Sequence, residues 1–231
     1  MPRKHHLVPA FYLRRWAVDG KIRVTHVDES RSYVTAPERA ARETDYYRLE
    51  APDLDATIVS PLVYETLLGE VEQAGKKDID RLCTRVGRVA ADSFVDFAVF
   101  LTFQMIRGHG SRREQEGIVA AIAQLQFGHL TNQQMRRTLQ KSGIPADQRT
   151  VAATTRAFRR IIDGNVAAVA SKADLMIGSA ELAEQLLAPL LMRDWYVYHS
   201  PALLVTCDEP VISLGVACRD VVTSGLVVGA G

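Results

Sequence analysis

FAVFLTFQMIRGHGSR, residues 97–112, is the stretch from which the fold of this chain is read. Its first ten residues are almost all apolar. At helical spacing Phe97, Phe100, Leu101 and Gln104 share one face, and Arg107 lies three residues beyond Gln104. The apolar run reaches back to Phe94, but Asp96 and Gln104 interrupt it. It therefore reads as a helix buried inside a protein, not as a membrane span. An amide and a guanidinium at the end of an aromatic face are costly to bury unless they find partners. Those partners could be the protein's own backbone, a carboxylate, or a phosphate or carboxylate of a ligand.

Helical signals continue on both sides. Ser60-Pro61 supplies an N-cap and a first-turn proline. Leu67, Leu68, Val71, Ile79, Leu82 and Val86 follow as a stripe. Helices are predicted over about 89–107, 112–127, 131–141, 149–172 and 180–192. Thr131 and Gln134 have capping-box spacing, and Gly143 marks a stop. Pro189 is predicted to kink or end the last helix.

The ends differ from this body. Val8-Pro9 opens a short helix and Asp19-Gly20 a turn. KIRVTHV (21–27) alternates like a strand that returns at Tyr33–Thr35, and TDYYRL (44–49) reads as a further extended piece. WYVYH (195–199), ALLVT (202–206), 211–217 and 221–228 are strand-like. The expected fold is α+β and mostly α. One domain over 1–231 has an N-terminal region (1–59), a helical body (60–192) and C-terminal strands (193–231). The N-terminal hairpin and the C-terminal strands are expected to form a small antiparallel sheet. The apolar, glycine-rich ending GLVVGAG reads as a truncated terminus.

With 231 residues, 47% hydrophobic and 24% charged, the chain can bury a core without a metal or a disulfide. Its three cysteines are odd in number and lack CxxC spacing, which favours a reducing compartment and places the protein in the cytoplasm. Net charge is +1 but unevenly spread: residues 111–172 carry ten Lys/Arg against four Asp/Glu, and 173–231 carry two against seven. The basic middle could be a phosphate-binding face or a set of solvated helix faces beside an acidic partner segment. The solvated face is the preferred reading, with nucleic acid the less favoured partner. No membrane partner is expected. GxxxxGK[ST], GxGxxG after a strand, GxSxG and HExxH are absent.

Three clusters could carry chemistry. Lys4-His5-His6 precedes Tyr12 and Arg15, and histidine titrates near neutrality. Neighbours in a strand face opposite ways, so only one of these histidines enters a given site. Gln104 and Arg107 form the second cluster. In the third, ALLVTCDEPV (202–211), Asp208 at a strand end could be a metal ligand or general base, or could bond the backbone in a plain turn before Pro210. His109 and His129 read as loop or helix-end residues.

In this order the clusters resemble a bacterial family called domain of unknown function 4238. KHHLVPAFYLRRWAVDGKIRV (4–24) resembles its opening motif, and AARETDYYRLE (40–50) its second block. FQMIRGHGSR (103–112) resembles its glutamine–arginine helix. DWYVYHSPALLVTCDEPV (194–211) resembles a tryptophan-strand block ending in a Thr-Ser-Asp-Asn-Pro-Val type turn, from which Cys207 and Glu209 depart. The resemblance implies a cytoplasmic helical protein with a polar pocket, with His6, Gln104, Arg107 and Asp208 at motif positions. It implies no reaction.

Two functions follow as expectations. One is an enzyme acting on a phosphate-bearing substrate, a hydrolase of nuclease or phosphodiesterase type. His6 and Asp208 would be catalytic, and Gln104, Arg107, Tyr12 and Arg15 would bind substrate. A divalent metal is compatible with it, without an assigned ligand set. The alternative is a non-catalytic binding or interaction module in which the same residues are structural. Arg107 and Asp208 are expected to meet in a charge-assisted contact.

Overall fold

Local spacing decides where helices form, and side-chain burial decides how they stack. The computed structural model describes residues 4–49, 59–127, 130–162, 171–201, 204–216 and 221–226. The elements are β1 (Lys4–His6), α1 (Ala10–Arg14), β2 (Ile22–His26), β3 (Arg31–Thr35), β4 (Arg42–Thr44), α2 (Val63–Leu82), β5 (Gly87–Val89), α3 (Val95–Ile106), α4 (His109–Phe127), α5 (Asn132–Lys141), α6 (Gln148–Ile162), α7 (Lys172–Leu191), β6 (Trp195–Val197), β7 (Val211–Val216) and β8 (Val221–Leu226). They divide into two compact units, one of Met1–Ser111 with Lys172–Gly231, the other of Arg112–Ser171.

In the first unit α3 is the centre. A helix that is apolar on almost every side must be enclosed. Phe97, Phe100, Leu101, Phe103 and Ile106 are all buried, with α2 and α7 packed against the helix. One cluster joins Phe103 and Ile106 to Leu7, Tyr47, Tyr64, Leu68 and Met176. Another joins Phe97 and Phe100 to Ile79, Leu82, Phe94 and Leu190. Gly75 lets α2 approach, since a methyl there would stand 2.5 Å from Phe100 Cβ. The N-terminal motif has its own cluster of Val8, Tyr12, Leu13 and Ile22. Phe11 leans out of it, with its ring centroid 5.8 Å from that of Phe100.

The second unit contains a helical hairpin. Thr131 and Gln134 form a capping box that starts α5. Asp147 accepts from the Arg149 and Thr150 amides and from the Thr150 hydroxyl, capping α6. Met135, Leu139 and Val151 are the buried core, with Ala146 and Phe158 against it.

The α+β, mostly α class is what the chain adopts, but the strands pair differently from expectation. The described strands make four separate antiparallel two-stranded ladders, β1–β4, β2–β3, β5–β6 and β7–β8. The hairpin β2–β3 pairs with itself and does not join the C-terminal strands. β6 instead pairs with β5, where the helix expected over about 89–107 would begin. Trp195 explains this choice: its ring packs on Phe97 at 5.6 Å, and its indole N–H donates to the Leu190 carbonyl, fixing β6 beside the α2–α3 connection. Of ALLVT, residues 202–203 lie outside the described residues and 204–206 form no strand. In TDYYRL the strand ends at Thr44, and Tyr46 and Tyr47 turn into the core. Pro189 does not end α7, which runs on to Leu191. No helix among the described residues is long and apolar enough to cross a membrane. Cys83 and Cys207 are free thiols; Cys218 lies outside the described residues.

Candidate functional site

Arg107 organises the polar part of the first unit. It follows the last turn of α3, where its backbone amide still bonds the Phe103 carbonyl. The side chain is only 2% exposed, yet every guanidinium nitrogen has a partner. Nε donates to the Tyr47 hydroxyl at 3.2 Å, Nη1 to Glu72 Oε1 at 2.7 Å, and Nη2 to the His6 carbonyl. The Tyr47 hydroxyl in turn donates to the Arg107 carbonyl at 3.4 Å. Burial works against the charge, but Tyr47 and Glu72 outweigh it and hold the pKa above its ordinary value.

The strand β1 splits its two histidines as its pleat requires. His5 points inward: Nδ1 accepts from the Tyr47 amide at 3.0 Å, and Nε2 lies 3.7 Å from Glu65 Oε2. His6 is half-buried on the other side. Burial, then the positive charges of Arg42 and Arg107, push its pKa below 6.5. Pairing of β1 with β4 sets His5 opposite Glu43 and His6 opposite Arg42. Glu43 then reaches His109, the first residue of α4, at 2.7 Å to Nε2. The Tyr46 ring meets His109 edge-on at 5.3 Å.

The C-terminal turn touches the same unit at two points. Thr206 Oγ1 lies 2.8 Å from the Tyr12 hydroxyl. Burial of Tyr12 pushes its pKa up to about 12. Glu209 Oε1 accepts from the Gly110 amide. Its carboxylate lies so close to Gly108 and Gly110 that a methyl on either would stand 2.6 or 2.7 Å from it. Glycine is used here because the acid occupies the space of a side chain.

The residues singled out from the sequence thus have different surroundings. Arg107 meets His6 through the His6 carbonyl, not through its ring. The expected Arg107–Asp208 contact is replaced by Arg107–Glu72. Glu72 lies on α2, already packed against α3, so its carboxylate is available without help from the C-terminal turn. Asp208 is exposed, and the neighbouring Glu209 faces the start of α4. Arg15 bonds Asp80, and its Nη1 lies 3.4 Å from Cys83 Sγ. Gln104 is 2% exposed, and neither its amide nitrogen nor its oxygen has a hydrogen-bond partner among the described residues. No group of three or more His, Cys, Asp or Glu among the described residues could hold a metal ion.

Sequence reasoning missed Tyr47, Glu72, Glu43, His109 and Glu209. The glycines either side of His109 were the available signal, since two glycines flanking one residue after a helix mark a close approach. Nothing local distinguishes Glu72 from the other acids of α2.

The family model described as protein of unknown function (DUF4238) matches residues 4–217 of the chain. No curated protein and no solved structure matches it.

Proposed function

The chain belongs to the DUF4238 family, and from its site geometry we propose that it is a non-catalytic binding or interaction module whose polar motif residues are structural. One observation carries this reading: the guanidinium of Arg107 is spent on Tyr47, Glu72 and His6. A phosphate-binding arginine turns a pair of its nitrogens toward an open site, whereas each nitrogen of Arg107 already holds a protein partner and the side chain is only 2% exposed. Tyr12 and Arg15 are likewise engaged, with Thr206 and with Asp80. The test is hydrolysis of generic phosphomonoester and phosphodiester substrates, with and without magnesium or manganese. No turnover above background is expected. Turnover that His6→Asn or Asp208→Asn abolishes, with an unchanged melting temperature, would sink the proposal.

A second reading rests on Gln104. A buried amide with no partner costs roughly 1–3 kcal/mol, and such groups call for a reason. A ligand would supply one. In that case the chain is an enzyme acting on a phosphate-bearing substrate. His6, neutral at pH 7 because its pKa is depressed, and Asp208 would exchange protons. Gln104, Arg107, Tyr12 and Arg15 would shape the binding site. Gln104→Leu separates the readings: it preserves or raises stability if the amide has no ligand, and removes turnover if it has one.

A further inference from the structure

The α5–α6 hairpin has a surface for which the polar scaffold of the first unit has no use. Between Leu130 and Ile162 there are seven Lys/Arg and a single acid, Asp147. Both oxygens of that acid are taken up in the α6 cap, by the Arg149 and Thr150 amides and the Thr150 hydroxyl. Asp147 forms no ion pair with the arginines further along the helix.

Those arginines are ordered by the helix. Val151 is buried and Phe158, seven residues on, packs against the same core, which defines the inner face of α6. At about 100° per residue, Arg149, Arg156 and Arg160 fall within roughly 40° of one another on the outer face. All three are exposed, and none forms an ion pair among the described residues. They span about 16 Å along the axis. Arg136 and Arg137 on α5 are also exposed and without an ion pair among the described residues.

An ordinary solvated face mixes both signs of charge, because a one-sign row repels itself. Within the hairpin itself, the one acid among the described residues is engaged in the α6 cap, so no carboxylate of the hairpin pairs with these arginines. We infer that the outer face of α6, with Arg149, Arg156 and Arg160, binds double-stranded DNA through its phosphate backbone without regard to sequence.

Charge and shape choose this partner. A row of guanidinium groups along one helix face suits the regular phosphate array of a duplex. Single-strand binders add aromatic platforms on which bases stack. The hairpin's one aromatic residue, Phe158, packs toward its core instead. The major groove of B-DNA admits an α-helix, whereas that of duplex RNA is too narrow and deep.

The experiment is fluorescence anisotropy of the full chain with a labelled mixed-sequence DNA duplex, repeated from 50 to 200 mM salt. Duplex RNA, single-stranded DNA and anionic phospholipid vesicles are the parallel arms. Three phosphate contacts give a log–log salt slope of about −2.7, a loss of roughly 40-fold over that range. The triple substitution Arg149→Gln, Arg156→Gln and Arg160→Gln is expected to bring the slope close to zero with an unchanged circular dichroism spectrum. The inference is overturned by absent or salt-independent binding, by tighter binding to RNA, single strands or vesicles than to duplex DNA, or by a folded triple variant that binds like the parent. If the triple variant does not fold, the slope and duplex preference of the unsubstituted chain decide the matter.

Discussion

Arg107 shows how much one side chain can fix. Three parts of the first unit meet at its guanidinium: β1 through the His6 carbonyl, α2 through Glu72, and the turn after β4 through Tyr47. Removing one partner of a buried ion pair strands the other, at a cost of about 3–5 kcal/mol. Arg107→Ala is expected to destabilise by that amount in urea unfolding. Arg107→Lys should recover little, because an ammonium cannot reach three acceptors lying in different directions. His6 gives a pH signature. Its folded pKa is depressed below 6.5, so the folded state prefers the neutral ring. Its contribution is fully present above about pH 6.5, the unfolded value. It declines as the pH falls from there through the depressed folded value, because the unfolded chain takes up the proton first. His6→Gln should lessen the fall in urea midpoint over that window. A parallel decline in parent and variant would show that His6 is not responsible.

Two glycines of α2 make a matched pair at the scale of the element. A methyl on Gly69, which is exposed, would meet nothing within 4 Å, whereas at Gly75 it would lie 2.5 Å from Phe100 Cβ and 2.7 Å from its Cγ. Alanine in an exposed helix position gains about 0.5–1 kcal/mol over glycine. Gly69→Ala should therefore raise the melting temperature. Gly75→Ala should lower it, at a cost of about 1–3 kcal/mol, because the atoms it strikes are at the root of a buried ring and cannot swing away. Equal effects at the two sites would mean that α2 and α3 do not approach so closely. The helices themselves were largely legible beforehand. Thr131 and Gln134 announced α5 because a capping box is local chemistry, and the stripe of α2 because its repeat is local geometry. Strands β5 and β6 were harder. Gly87–Val89 has only three residues, too short for an alternating pattern, and it is a strand because Trp195 brings β6 beside it.

For the molecule as a whole, the two units differ in how much apolar surface holds them. α3 is enclosed by α2 and α7, whereas among the described residues the α5–α6 hairpin buries chiefly Met135, Leu139 and Val151. Local opening is cheaper where fewer apolar groups are buried. Hydrogen exchange read by mass spectrometry should be slowest in α3 and clearly faster in α5 and α6. Comparable protection in both would show that the hairpin does not open on its own.

The sequence alone determined the helical character, the family resemblance and the charge imbalance of the middle. Each depends on which residues lie within a few positions of one another, or on counting them. It could not assign partners. Arg107 was recognised as a residue that must be paired, but Asp208 and Glu72 are equally good carboxylates on paper. Only the packing of α2 on α3 brought Glu72 within 2.7 Å and left Asp208 in solvent. Likewise the spacing of Arg149, Arg156 and Arg160 puts them on one helix face, but only the structure holds Asp147 in the α6 cap and turns Val151, opposite that face, into the core. Propensity and charge count are properties of the chain. A hydrogen bond between residues 35 positions apart exists only when the core around it has closed.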